Sequence, residues 1–199
     1  MSEERETVVD EEHDAELDAE REAEREARRR LALAQIRQYP DPVLRLRGRR
    51  VEDFDEDLLR LVERMTALMQ GASGAGLAAT QVGVLRRLFV YHPAEDETPV
   101  ALVNPEIVSS SDEVDVDDEG CLSLQGVLVP VERHVAVTIT AKDPTGADVR
   151  LELEGFDARV CQHELDHLDG VLMLDRTTDD ARRAALGTLR TQTSLASRS

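Results

Sequence analysis

The segment CQHELDHLDG, residues 161–170, sets two histidines four positions apart and places Glu164 directly after the first. With the residues before it, FDARV at 156–160, it reads as a helix over 157–169, with Asp157 as a cap and Gly170 as the stop. On a helix, positions four apart share a face, about 6 Å apart along the axis. His163 and His167 can therefore grip one cation, while Glu164 is rotated away but near enough to reach a water on that cation. The plain alternative is two histidines satisfied on a surface or in a core. The chain has only five histidines, and two of them fall in this frame with the glutamate, which favours the metal.

Two histidines do not complete a site. No histidine follows His167; Asp175, Asp179 and Asp180 do, in a poorly patterned region. Upstream, Cys121 stands in DEGCLSLQG, where a thiolate would be a strong ligand for a borderline metal. Cys161 is the rival thiol. It precedes His163 by two residues, so a helix turns it towards the opposite side, as a core residue would be.

Working outward, residues 55–70 (DEDLLRLVERMTALMQ) repeat Leu58, Leu61, Val62, Met65, Leu68 and Met69 at helical spacing, with Asp53 or Asp55 as the cap and Gly71 as the end. Strand-like runs occupy 87–91, 100–104, 134–142 and 148–155, and the last two are joined by DPTGA as a hairpin. A final short helix is expected over 179–189. Strands and helices do not alternate as βαβ units. The expected class is α+β, with small antiparallel or mixed sheets around a central metal-binding helix that carries the His-Glu-x-x-His motif.

Residues 1–34 form a separate acidic block rich in Ala, Glu and Arg, read as a solvated extension, partly helical or disordered, with a partner-binding helix as the alternative. Residues 35–178 carry the chemistry, and 179–199 make a C-terminal helix and tail. The net charge of −18 argues against a nucleic-acid-binding protein, DNA included. No apolar run is long enough for a bilayer, and two cysteines do not suggest a secreted scaffold. The N-terminal block also lacks the apolar stretch of a secretion signal. A cytoplasmic protein is the expectation.

Three segments in order, GAGLAATQ (74–81), EGCLS (119–123) and HELDH (163–167), resemble the motifs of the peptide deformylase family. YPDPVLR at 39–45 and LVNPEI at 102–107 add weaker echoes, and the resemblance spans about residues 36–176. It implies a metal held by Cys121, His163 and His167, Fe(II) in the cell with Zn, Ni or Co able to substitute. The implied substrate is the formyl-methionine end of a nascent polypeptide, cleaved to formate and a free amino terminus. Glu164 would carry the proton, and the Gln81 amide and the Leu122 N–H would bind the oxyanion. Gly74, Gly76, Arg133 and Val160 would serve the substrate, with Asp166 orienting a ligand from behind. A ribosome contact through Arg182, Arg183, Arg190 and Arg198 is a further expectation.

Two positions depart from the family pattern. Gln125 stands where a proline is common, and Ala75 where a larger aliphatic is common; both touch the substrate cleft rather than the metal. Two other readings compete. A generic zinc peptidase would take a downstream third ligand and would not require Cys121. An interaction protein with a structural metal would close its site with a fourth protein ligand.

Overall fold

The computed structural model describes residues 3–94 and 98–196, with side chains described from 17 to 192 within those ranges. The fold is α+β. Helix α2 (Glu56–Gly71) starts where the sequence implies, since the Asp55 carboxylate accepts from the Leu58 N–H at 2.9 Å. Its buried Leu58, Met65, Leu68 and Met69 are the apolar stripe. Before it, α1 (Glu3–Leu33) is one long helix; among its described side chains, from Leu17 on, the charged ones are exposed and only those at its end are buried. Ala32, Leu33 and Ile36 enter the same core as Met65, Leu68 and Met69. The acidic extension is thus far more helical than its weak apolar pattern suggests. Arg21–Asp18 and Arg25–Glu22 ion pairs one turn apart run along its exposed surface.

The main sheet is five-stranded, ordered β1 (Gly76–Ala78), β2 (Leu88–Tyr91), β3 (Val100–Ser110), β6 (Ala136–Lys142) and β7 (Asp148–Glu154), with every ladder antiparallel. The only parallel pairing among the described residues is an isolated bridge between Arg49 and Arg86. The expected hairpin is β6–β7; its turn is held by the Asp143 carboxylate, which accepts from Thr145 N and Ala147 N. β3 runs six residues further than its apolar stretch, through a register shift at Asn104 and Pro105. Asn104 adopts φ 52°, and its amide pairs with both the N–H and the C=O of Val51, at 2.8 and 2.9 Å.

A second sheet pairs β4 (Val114–Cys121) with β5 (Leu124–His134). Neither strand was among the expected runs. The sequence of β4 is VDVDDEGC, and carboxylates at alternate positions hide a strand that is exposed almost throughout. Val127, Val129 and Val131 of β5 pack against Ala185 and Leu189 of α4 (Asp179–Ala196). Helix α3 (Gly155–Leu168) lies between the sheets, against β1, β2 and β7 on one side and β5 on the other. Its start falls two residues ahead of the expectation, because Gly155 at φ 55° turns the chain in; Asp157 sits in the first turn and accepts from Ala94 N instead. Its end is the expected one. Gly170 takes φ 73°, and a Cβ there would lie 2.8 Å from the Arg45 carbonyl carbon. No helix among the described residues is long and apolar enough to cross a membrane.

Asn104→Ala should lower stability by about 3 kcal/mol, since it leaves two buried backbone groups of Val51 unpaired and gives up a side chain suited to positive φ. Urea unfolding should show a lower midpoint at unchanged slope.

Candidate metal centre

Cys121 ends β4, at the turn into β5, and faces α3. One ligand atom from each of Cys121, His163 and His167 lies within 4.8 Å of the others, and Cys121 Sγ stands 3.2 Å from His167 Nε2. Among the described residues, this trio is the only group of His, Cys, Asp or Glu side chains so placed. Asp175, the nearest of the downstream acids, is paired with Arg45 and Arg182 instead. Cys161 is fully buried in the apolar core behind α3, as its helical position implies.

The centre is organised by Glu119, a residue to which the sequence reading gave no role. It is the one buried residue of β4. Its Oε2 accepts from His163 Nδ1 at 2.9 Å and from Arg133 Nη2 at 3.0 Å. Its Oε1 accepts from Arg133 Nε at 2.9 Å and Arg159 Nη1 at 3.1 Å. Burial alone would raise its pKa, but the His163 and Arg133 hydrogen bonds outweigh it and hold the carboxyl at about 2. With Nδ1 of His163 donating to that carboxylate, the Nε2 lone pair is left for a ligand role. The available signal was position: an acid two residues before a candidate thiolate, in a strand whose other acids face water.

Arg133 does not stand where the resemblance puts it. Its side chain is only 5% exposed and does not line the cleft of the centre. Besides Glu119 it donates to Asp166 at 2.6 Å, and Asp166 in turn receives Arg176 at 2.6 Å. Its Nε, Nη1 and Nη2 are each tied to a buried carboxylate, and it stands outside the cleft, so it is not placed to hold a peptide main chain there. Asp166 does act from behind the ligands, but two steps removed: it fixes Arg133, which fixes Glu119, which orients His163.

The remaining expected residues meet in one cleft of about 600 Å³. Cys121, His163 and Glu164 form its floor, with Gln81 beside them. Gly74, Gly76, Leu122 and Val160 also line it, while His167 is buried beneath. Gln81 Nε2 points at the centre, 3.6 Å from Cys121 Sγ and 3.1 Å from Ser123 Oγ, while its Oε1 is fixed by Ala78 N at 2.8 Å. The glycines are there for space. A Cβ on Gly74 would lie 2.6 Å from Leu122 Cδ1, and one on Gly76 would lie 2.8 Å from the Glu164 carboxyl carbon. Glu164 is 3% exposed, its Oε2 has no protein partner, and burial raises its pKa to about 7.

Residues 33–183 match the family model described as polypeptide deformylase. A peptide deformylase of Thermotoga neapolitana is 46% identical over 142 residues, covering 71% of this chain and 85% of that one. The chain belongs to the polypeptide deformylase family. A peptide deformylase of Desulforudis audaxviator is 42% identical, covering 77% of this chain and 99% of its own. The crystal structure of a peptide deformylase from Legionella pneumophila superposes with a TM-score of 0.77 at 38% identity, over 82% of this chain and 97% of that one. The deformylase family is metal-dependent, and the donors found here suit a metal. A cysteine sulfur and two imidazole nitrogens converge. Burial lowers the His163 pKa, but hydrogen bonds to Cys121 and Glu119 prevail and raise it well above the usual value, so an ion bound at this imidazole nitrogen would displace a proton. The activity is that of a peptide deformylase: hydrolytic removal of the N-formyl group from nascent polypeptides.

Glu119→Gln should weaken divalent-metal affinity by about 10- to 100-fold, since it removes the acceptor that sets the His163 ring; competition with a chromophoric chelator reads this directly. The same residue shapes acid stability of the metal-free chain. Its folded pKa of about 2 lies below the unfolded value of 4.5. The stabilisation it gives is therefore complete above pH 4.5 and lost as pH falls towards 2. This fall should be shallower in Glu119→Gln, measured by urea titrations across that window.

Proposed function

We propose that Cys121, His163 and His167 hold one divalent ion, Fe(II) in the cell, and that Glu164 moves the proton of deformylation. Thiolate and imidazole donors suit Fe, Co, Ni or Zn rather than Mg or Ca, so the last three remain substitutes for iron. Three protein donors leave a coordination position open, which suits catalysis better than a closed structural site. When bound, the ion supplies a Lewis acid that brings the pKa of water towards neutrality.

The observation that carries the reading is Glu164: a buried carboxylate poised near neutral pH, unpaired at Oε2, on the same cleft as the ligand atoms. It accepts a proton from the attacking water and delivers it to the peptide nitrogen as that nitrogen leaves. A carbon–oxygen bond forms at the formyl carbon, the carbon–nitrogen bond breaks, and formate and a free amino terminus result. Gln81 Nε2 and the Leu122 N–H donate to the oxygen that gains charge. Gln81 is preorganised for this, since its other end is tied to Ala78. Leu122 and Val160, with the bare backbone at Gly74 and Gly76, shape an apolar slot for the methionine side chain.

The substrate arises where translation occurs, so we place the protein in the cytoplasm. The expected ribosome contact has little free charge to draw on. Arg182 pairs with Asp175 and Arg183 with Asp180, leaving Arg190; Arg198 lies outside the described residues.

The test is anaerobic reconstitution with Fe(II) and assay of formate released from a formyl-Met-Ala-Ser peptide. Glu164→Gln should bind iron at one equivalent yet lose about 10³-fold or more in kcat, the scale of general acid–base help. Cys121→Ser should lose tight metal binding. Full turnover in either variant would sink this assignment of roles.

A further inference from the structure

The cleft wall includes one cation that deformylation as described does not use. Arg29 lines the cavity, yet it belongs to α1 and precedes residue 33, where the family match begins. Its placement follows from packing. The end of α1 is seated on α2, so closely that a Cβ on Gly71 would lie 3.2 Å from Ala32 Cβ. From the end of α2 the chain runs directly into Ser73, Gly74 and Ala75, which form a lip of the cleft. The last turns of α1 therefore stand beside that lip.

Arg29 is exposed and makes no hydrogen bond or ion pair among the described residues. The other arginine on the cleft, Arg159, is spent on Glu119 and on the carbonyls of Val131 and Asp115. On the β4 wall stand Asp117 and Asp118, which form no ion pair in the described structure. Among the described residues, the mouth thus carries a guanidinium from α1 without an ion-pair partner and two such carboxylates from β4, of which Asp117 accepts only from the Asp118 N–H.

We propose that Arg29 binds the substrate chain beyond its formyl-methionine and favours an acidic side chain there. The proposal rests on the deformylase reading. Formyl-methionine sits over Glu164 at the floor, so the rest of the peptide leaves through the mouth and passes this guanidinium. A guanidinium with no internal partner keeps its donors for a carboxylate or for peptide carbonyls. The extension then contributes specificity to a site whose chemistry lies wholly in the later part of the chain.

The experiment compares kcat and KM for formyl-Met-Xaa-Ser and formyl-Met-Ala-Xaa peptides, with Xaa Asp, Ala or Arg, in the iron-loaded full chain, Arg29→Ala and Arg29→Glu. Because Asp117 and Asp118 also face the mouth, the diagnostic quantity is the change in the Asp-to-Arg ratio of kcat/KM on substitution. Arg29→Ala should lower that ratio about three- to five-fold, through KM and with kcat held, the scale of one exposed ion pair. Arg29→Glu should lower it further, and both effects should shrink at high salt. An unchanged ratio at both positions in both variants would overturn the proposal while leaving deformylation intact. Absence of formate release by the unsubstituted chain would overturn the deformylase reading, and this inference with it.

Discussion

The Glu119 carboxylate is the junction on which the site depends. Four donors converge on its two oxygens, from His163, from Arg133 twice and from Arg159. Those donors come from α3 and β5, while Glu119 itself lies on β4, so one buried anion fastens three elements. It also sets chemistry, because it fixes which nitrogen of His163 is left to face a metal. A carboxylate removed from water is costly unless its oxygens are fully satisfied. Here the burial is tolerated because Arg133 is itself neutralised on its far side by Asp166, and Asp166 by Arg176. The result is an alternating row of charges running from solvent at Arg176 to His163, with no member left single.

What the sequence disclosed, and what it hid, follows from this. That Cys121, His163, His167, Glu164 and the two glycines come together was legible, because each stands in a short motif whose spacing has a mechanical cause. Helix α2 and the β6–β7 hairpin were legible from apolar period and turn chemistry. β4 was not, since alternating aspartates read as charge rather than as strand. The buried Glu119 is the exception within that same acidic run, and no local pattern separates it from its neighbours. Arg133 misled for the complementary reason. An arginine on a strand reads as a surface residue or a substrate contact, and only the fold shows two carboxylates closing on it from other elements.

The departures from the family pattern acquire a physical account as well. Gln125, where a proline is common, donates to Gln38 Oε1 at 2.9 Å, and Gln38 Nε2 donates to the Leu122 carbonyl at 3.0 Å. The lost rigidity of a proline is thus replaced by a relay of side-chain amides that steadies the Leu122 peptide beside Cys121. Ala75 is only partly buried, packs against the core that holds Val160, and lies on the same cleft.

The uneven charge of the chain is consistent with this division of labour. Acid dominates the sequence of the first half of α1 and the exposed positions of β4, a pattern that disfavours self-association and repels polyanions. The arginines that act on structure lie inside or at seams, each paired with a carboxylate. Near its end, the sequence of α1 turns from Glu to Arg28, Arg29 and Arg30, which suits the helix macrodipole at a C-terminus. The same preference puts a cation at the point where α1 meets the cleft. A requirement of helix stability and a means of reading substrate can therefore be met by one side chain, which explains how an extension outside the family core can acquire a place in its active site.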